Sequence, residues 1–94
     1  MSINKAVGNI LLYVKTGCVF DSHMITKKLK RDYPVEYKEY ISKFEKSEDP
    51  TLRGHQRIGH EILKFRDLAE RMDYQSWSEN INGNVSECAL WKRI

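Results

Sequence analysis

The longest helical pattern in the chain runs from Thr51 to Met72, TLRGHQRIGHEILKFRDLAERM. Ile58, Ile62, Phe65, Ala69 and Met72 recur at intervals of four, three, four and three, the spacing that lines one side of an α-helix. Advancing each residue by about 100° places Arg53, Arg57, His60, Lys64 and Arg71 on nearly the opposite side. The pattern predicts one long helix, begun at Asp49-Pro50 or Thr51, with an apolar face for a core. Its other face suits solvent or an anion.

Upstream, Ile3, Val7, Ile10, Leu11 and Val14 form the stripe of a first helix, from Ile3 to about Thr16. Ser2 is its expected N-cap and Gly17 its C-terminal stop. Cys18-Val19-Phe20 suits a short strand in a small sheet. Asp21-Ser22 then caps a second helix, Ser22 to Asp32, with Met24, Ile25 and Leu29 inward and Lys27, Lys28, Lys30 and Arg31 outward. Tyr33-Pro34 breaks the chain and opens a third helix to about Glu45. Tyr37, Tyr40, Ile41 and Phe44 are its stripe, and the tyrosines read as core with hydroxyls at the rim. Lys46 to Pro50 is a polar loop.

After Met72 the period changes. Gln75–Asn80 and Val85–Arg93 read as two strands joined through Asn82-Gly83, the pair that a type I′ turn with two positive φ angles favours. Such a turn sets Trp77 opposite Cys88, Glu79 opposite Ser86 and Tyr74 opposite Trp91. One face then carries Trp77, Ile81, Cys88 and Leu90 toward the core, and the other a Tyr74–Trp91 pair. The expected fold is mainly α with a C-terminal β-hairpin, an α+β domain of four helices and a small two- or three-stranded sheet. No linker divides residues 1–94, so a single domain is expected.

Composition agrees: 40% hydrophobic and 31% charged residues fit a soluble globular chain and exclude a disordered or membrane-embedded one. The net charge of +3 is unevenly placed. Residues 1–44 carry eight Lys or Arg against four acids, whereas residues 73–94 are net negative. Cys18 and Cys88 have no CxxC spacing and read as reduced, buried thiols of a cytoplasmic protein. The apolar run Ala6–Val14 is too short to span a membrane and lacks a cleavage site. Without a secretory signal, the Asn84-Val85-Ser86 sequon is a chance match.

Enzyme signals are poor, and neither catalysis, nor a cofactor, nor a metal is expected. Asp21, Ser22 and His23 are adjacent, and neighbours on a helix point about 100° apart, so they suit capping and not a triad. His55 and His60 are five apart, about 140° around a helix, and cannot share a metal as an i,i+4 pair does. No HExxH, GxSxG, P-loop or GxGxxG occurs.

The long helix carries its charge against its dipole. Arg53, His55 and Arg57 occupy the first turns and Asp67 and Glu70 the last, whereas helix N-termini favour acids by about 0.3–1 kcal/mol each. A positive N-terminus bearing two arginines suits phosphates or base edges. Gly54 and Gly59 would admit either a DNA backbone or a close helix.

The order helix, short strand (Cys18-Val19-Phe20), helices, long helix and hairpin with polar tip resembles the winged helix-turn-helix superfamily. The resemblance implies that the helix before the hairpin enters the major groove and the hairpin is the wing. It also implies that the early strand pairs with the hairpin's second strand. Carried over by position, Arg53, His55, Gln56, Arg57 and His60 become the reading surface, with Lys64 beyond them. Asn80, Asn82, Gly83 and Asn84 become the wing tip, and Lys92 and Arg93 lie near the backbone. Lys27, Lys28, Lys30 and Arg31 would anchor phosphates. The function so implied is that of a small regulator binding duplex DNA, with a homodimer to double the half-sites. The rival is a phage- or plasmid-type accessory protein that docks on a larger complex through the basic helix face or the hairpin, with Tyr74 and Trp91 as hot spot. Neither reading involves a membrane.

Overall fold

The computed structural model describes residues 1–94. Its elements are α1 (Ile3–Tyr13), β1 (Val19–Asp21), α2 (Ser22–Asp32), α3 (Pro34–Ser42), α4 (Pro50–Ile62), β2 (Ala69–Glu79) and β3 (Val85–Arg93). The strands form one antiparallel sheet in the order β1-β3-β2. The domain is thus α+β, with four helices and the C-terminal strands completing a three-stranded sheet.

Local chemistry starts three of the helices. Ser2 Oγ accepts from the Lys5 amide, Asp21 Oδ1 from Met24 at 2.9 Å and Asp49 Oδ1 from Leu52 at 3.1 Å. Each cap satisfies an amide that the first turn leaves without a partner. Pro34 opens α3 and Pro50 opens α4, where the missing N–H costs nothing. Val7, Leu11, Ile25, Leu29, Ile58 and Ile62 are fully buried, and each contributes about 1.5–3 kcal/mol through burial. Phe20, Ala69 and Trp91 add one residue from each strand, so the core ties all four helices to the sheet. Tyr37 and Tyr40 join this core.

The long helix expected over Thr51–Met72 is not one element. α4 stops at Ile62, tight turns carry Leu63–Leu68, and Ala69–Arg71 are already strand. All five stripe residues still turn inward: Ile58, Ile62 and Ala69 are buried, Phe65 and Met72 half-buried. They arrive from a helix, a turn and a strand. Leu63–Met72 contains no proline or glycine to stop a helix, so tertiary structure overrides propensity. Ala69, Glu70 and Arg71 pair with Arg93, Lys92 and Trp91, and the Phe65 ring fills the space above Gly8 of α1. Smaller shifts occur elsewhere. α1 ends at Tyr13 and α3 at Ser42. Gly17 does not stop α1 but lies in the turn before β1, at φ 91°, with its amide bonded to the Arg93 carbonyl.

The hairpin register differs from expectation by one residue. Trp77 faces Glu87, Ser78 faces Ser86 and Ser76 faces Cys88. Only Gly83 in the turn has positive φ, 84°, so Asn82-Gly83 is not a type I′ pair. The Asn80 carbonyl accepts from Gly83 and the Asn80 amide donates to the Asn84 carbonyl, closing a three-residue loop. Asn80 Oδ1 also accepts from the amides of Asn82 and Asn84 at 2.9 and 3.1 Å. This side-chain brace outcompetes the two-residue turn and moves β2 by one residue against β3, so that Ser76 and not Trp77 lies opposite half-buried Cys88. Trp77, opposite Glu87, is 67% exposed and Trp91 3% exposed, the reverse of the expected placement. Between Arg71 and Gln75 the ladder also slips, which sets Arg71, not Tyr74, opposite Trp91. Cys88 is half-buried and Cys18 exposed, so only one thiol approaches the buried state expected. No helix is long and apolar enough to cross a membrane.

Candidate nucleic-acid interface

α4 buries Gly54, Ile58 and Ile62 and exposes Arg53, Gln56, Arg57 and His60. The exposed four lie along one face of the helix, from Arg53 near its start to His60 in its last turn. Arg57 Nη1 lies 3.2 Å from His60 Nδ1, so this pair forms one polar unit on the surface.

His55 belongs to a different environment. It is half-buried, and its Nε2 shares a 2.7 Å hydrogen bond with the Tyr37 hydroxyl. Burial pushes its pKa below the ordinary 6.5, with His23 and Lys30 adding to the shift and Asp49 opposing it. The unfolded chain therefore binds more protons than the folded one as pH falls through 6.5, and His55's contribution to stability is lost in that window. Urea unfolding at pH 7.5 and pH 5 is expected to show wild type losing more stability than His55→Gln over that range. An equal loss in both proteins would remove His55 as the cause.

Gly54 is explained by packing. A Cβ there would collide with Ile41 Cδ1 of α3, so the glycine lets α3 and α4 approach closely and does not face a DNA backbone. Gly59 is half-buried with Ser22 Oγ as its nearest neighbour, at 3.9 Å from an added Cβ.

The other expected contact residues divide. Lys27 and Lys30 are exposed on α2, and the charge of Lys30 acts on His55 of α4. Lys28 is half-buried with Tyr13, Asp32 and Tyr33, facing α1. Arg31 forms a forked pair with Asp32 at 2.8 and 3.0 Å. Lys64 lies past the end of α4 and pairs with Glu61 at 2.9 Å, a carboxylate that also accepts from Asn4 and Tyr40. Asn82 and Asn84 are exposed at the hairpin tip. Arg93 is half-buried and donates from Nε to the Leu11 carbonyl at 2.9 Å, a structural bond between β3 and α1.

The hairpin tip is fixed beside α4. Asn80 and Asn82 share a cleft of about 270 Å³ with Thr51, Leu52, His55 and Gln56. Its floor is the first turn of α2, where His23 bridges both hairpin strands. Nδ1 lies 2.9 Å from Ser78 Oγ and Nε2 3.4 Å from Ser86 Oγ. Asp21 Oδ2 accepts from Ser76 Oγ at 2.8 Å. Burial works against the Asp21 charge, but hydrogen bonds from Ser78, Met24 and Ser76 outweigh it and hold its pKa below the usual value. Asp21 and His23 therefore orient the hairpin as well as starting a helix. Nothing local in the sequence signals this, because the partners of His23 lie 55 and 63 residues away.

No family model, curated protein or solved structure matches the chain.

Proposed function

We propose that the protein is a small DNA-binding regulator in which α4 reads the major groove and the β2–β3 hairpin is the wing. The observation that carries this reading is the exposure of Arg53, Gln56, Arg57 and His60 together on one face of α4, with the hairpin tip anchored beside its first turns. Arginine suits bidentate contact with guanine, and glutamine with adenine. The pairing of β1 with β3 is the one that the winged-helix resemblance implies. Lys27 and Lys30 supply phosphate contacts from α2.

A gel-shift with random duplex DNA tests the proposal. A retarded band is expected at low salt and is expected to weaken steeply as salt rises, because each neutralised phosphate releases counterions. Absence of a band at low salt would overturn it.

A second reading, docking on a protein partner, is supported by the outer strand β2. Tyr74 and Trp77 are more than 60% exposed, and β2 is paired on one side only. Buried Trp91 takes no part in such a surface.

A further inference from the structure

A second cleft, of about 490 Å³, lies between α4 and the sheet. Arg53 and His60 line it from α4 and Arg71 from β2, and no carboxylate takes part in the lining. Neither ion pair in the structure involves Arg53 or Arg71, so the charge of these two guanidinium groups is not neutralised by the chain itself. Arg71 is held in place. Its guanidinium lies 5.7 Å from the centroid of the Trp91 ring and donates to the Met72 carbonyl and to Gln75 Oε1, at 2.7 and 3.0 Å. Leu63, Ala89 and Trp91 give the cleft an apolar stretch of wall, beside the polar Ser22, His55 and Gln56. Cations converging on an apolar wall, in a space of ligand size, match one chemical class. We infer that this cleft binds a small organic anion with a flat apolar body, of the aryl carboxylate type.

The carboxylate accepts from the planar guanidinium of Arg71 or Arg53, a geometry suited to two parallel hydrogen bonds. The ring then lies along Leu63 and Ala89 and displaces water from that wall. Arg53 and His60 belong both to this cleft and to the exposed face of α4. A bound anion therefore competes with DNA for Arg53 and His60, and the site would act as an effector switch. Occupancy of the cleft is independent of the DNA reading; only the competition rests on it.

The full chain, labelled with ¹⁵N, is titrated with 2-naphthoate, its neutral amide 2-naphthamide, and inorganic phosphate. Naphthoate is expected to shift the Trp91 indole N–H and the Leu63 and Ala89 amides saturably, leaving the Trp77 indole in place. Binding is expected to weaken by about tenfold with 2-naphthamide, and similarly with naphthoate on Arg71→Gln or Arg53→Gln. Arg53 is exposed, so its substitution tests the site even where Arg71→Gln disturbs the sheet. No saturable shift at millimolar naphthoate would overturn the assignment. Equal binding of the amide, or of inorganic phosphate, would also overturn it, since the first removes the charge and the second the apolar body. Displacement of duplex DNA by naphthoate is the expected result for the switch. Naphthoate binding by a protein that fails to bind DNA would reject the DNA reading and leave the cleft assignment standing.

Discussion

Trp91→Ala is expected to lower stability by about 3–5 kcal/mol, the cost of removing a large aromatic side chain from a packed core. The residue is 3% exposed and packs in the same cluster as Phe20 and Ala69, from the two other strands. Its indole N–H donates to Ser22 Oγ at 3.2 Å, and Ser22 in turn donates to the Ala89 carbonyl. Truncation therefore opens a cavity and also loosens a polar junction between α2 and β3. Trp77→Ala provides the control. That residue is 67% exposed, and its loss is expected to change stability by about 1 kcal/mol or less. Urea unfolding followed by far-UV circular dichroism separates the two. Similar losses in both variants would contradict the observed burial, which places Trp91 and not Trp77 in the core.

Arg57→Ala is expected to weaken binding to a preferred duplex, selected from random sequences, by about 1–3 kcal/mol. The side chain is exposed on α4, with His60 and the Tyr40 hydroxyl as neighbours, so its removal leaves the core intact. Affinity for unrelated duplexes is expected to change much less, since base contacts specify whereas phosphate contacts position. Fluorescence anisotropy with both duplexes measures the difference. Equal loss on every sequence would make Arg57 a phosphate contact and move the reading role to Arg53 and Gln56.

Elements governed by near-neighbour chemistry were legible in the sequence. α2 runs from Ser22 to Asp32 as expected because Asp21 caps its start and the proline after Tyr33 prevents its continuation. β3 runs from Val85 to Arg93 as expected. Two features, one set by distant partners and one by a local side-chain brace, were not legible. Residues 69–72 continue the helical period of α4, but the available hydrogen-bond partners at Trp91–Arg93 draw Ala69–Arg71 into the sheet. Asn80, outside the Asn82-Gly83 pair, braces the turn and moves the register by one. The candidate site shows the same division. Arg53, Gln56, Arg57 and His60 share a face because helical geometry alone places them there. The same geometry turns His55 about 200° from Arg53, toward Tyr37 of α3, whereas Arg71 reaches the second cleft only because it is strand and not helix.

Chemical-shift mapping of the ¹⁵N-labelled protein against a short duplex tests the central claim most directly. The account predicts the largest perturbations at Arg53, Gln56, Arg57 and His60 and at the hairpin tip near Asn82, with Tyr74 and Trp77 unaffected. Perturbations centred on Tyr74 and Trp77, or none at all at low salt, would contradict it.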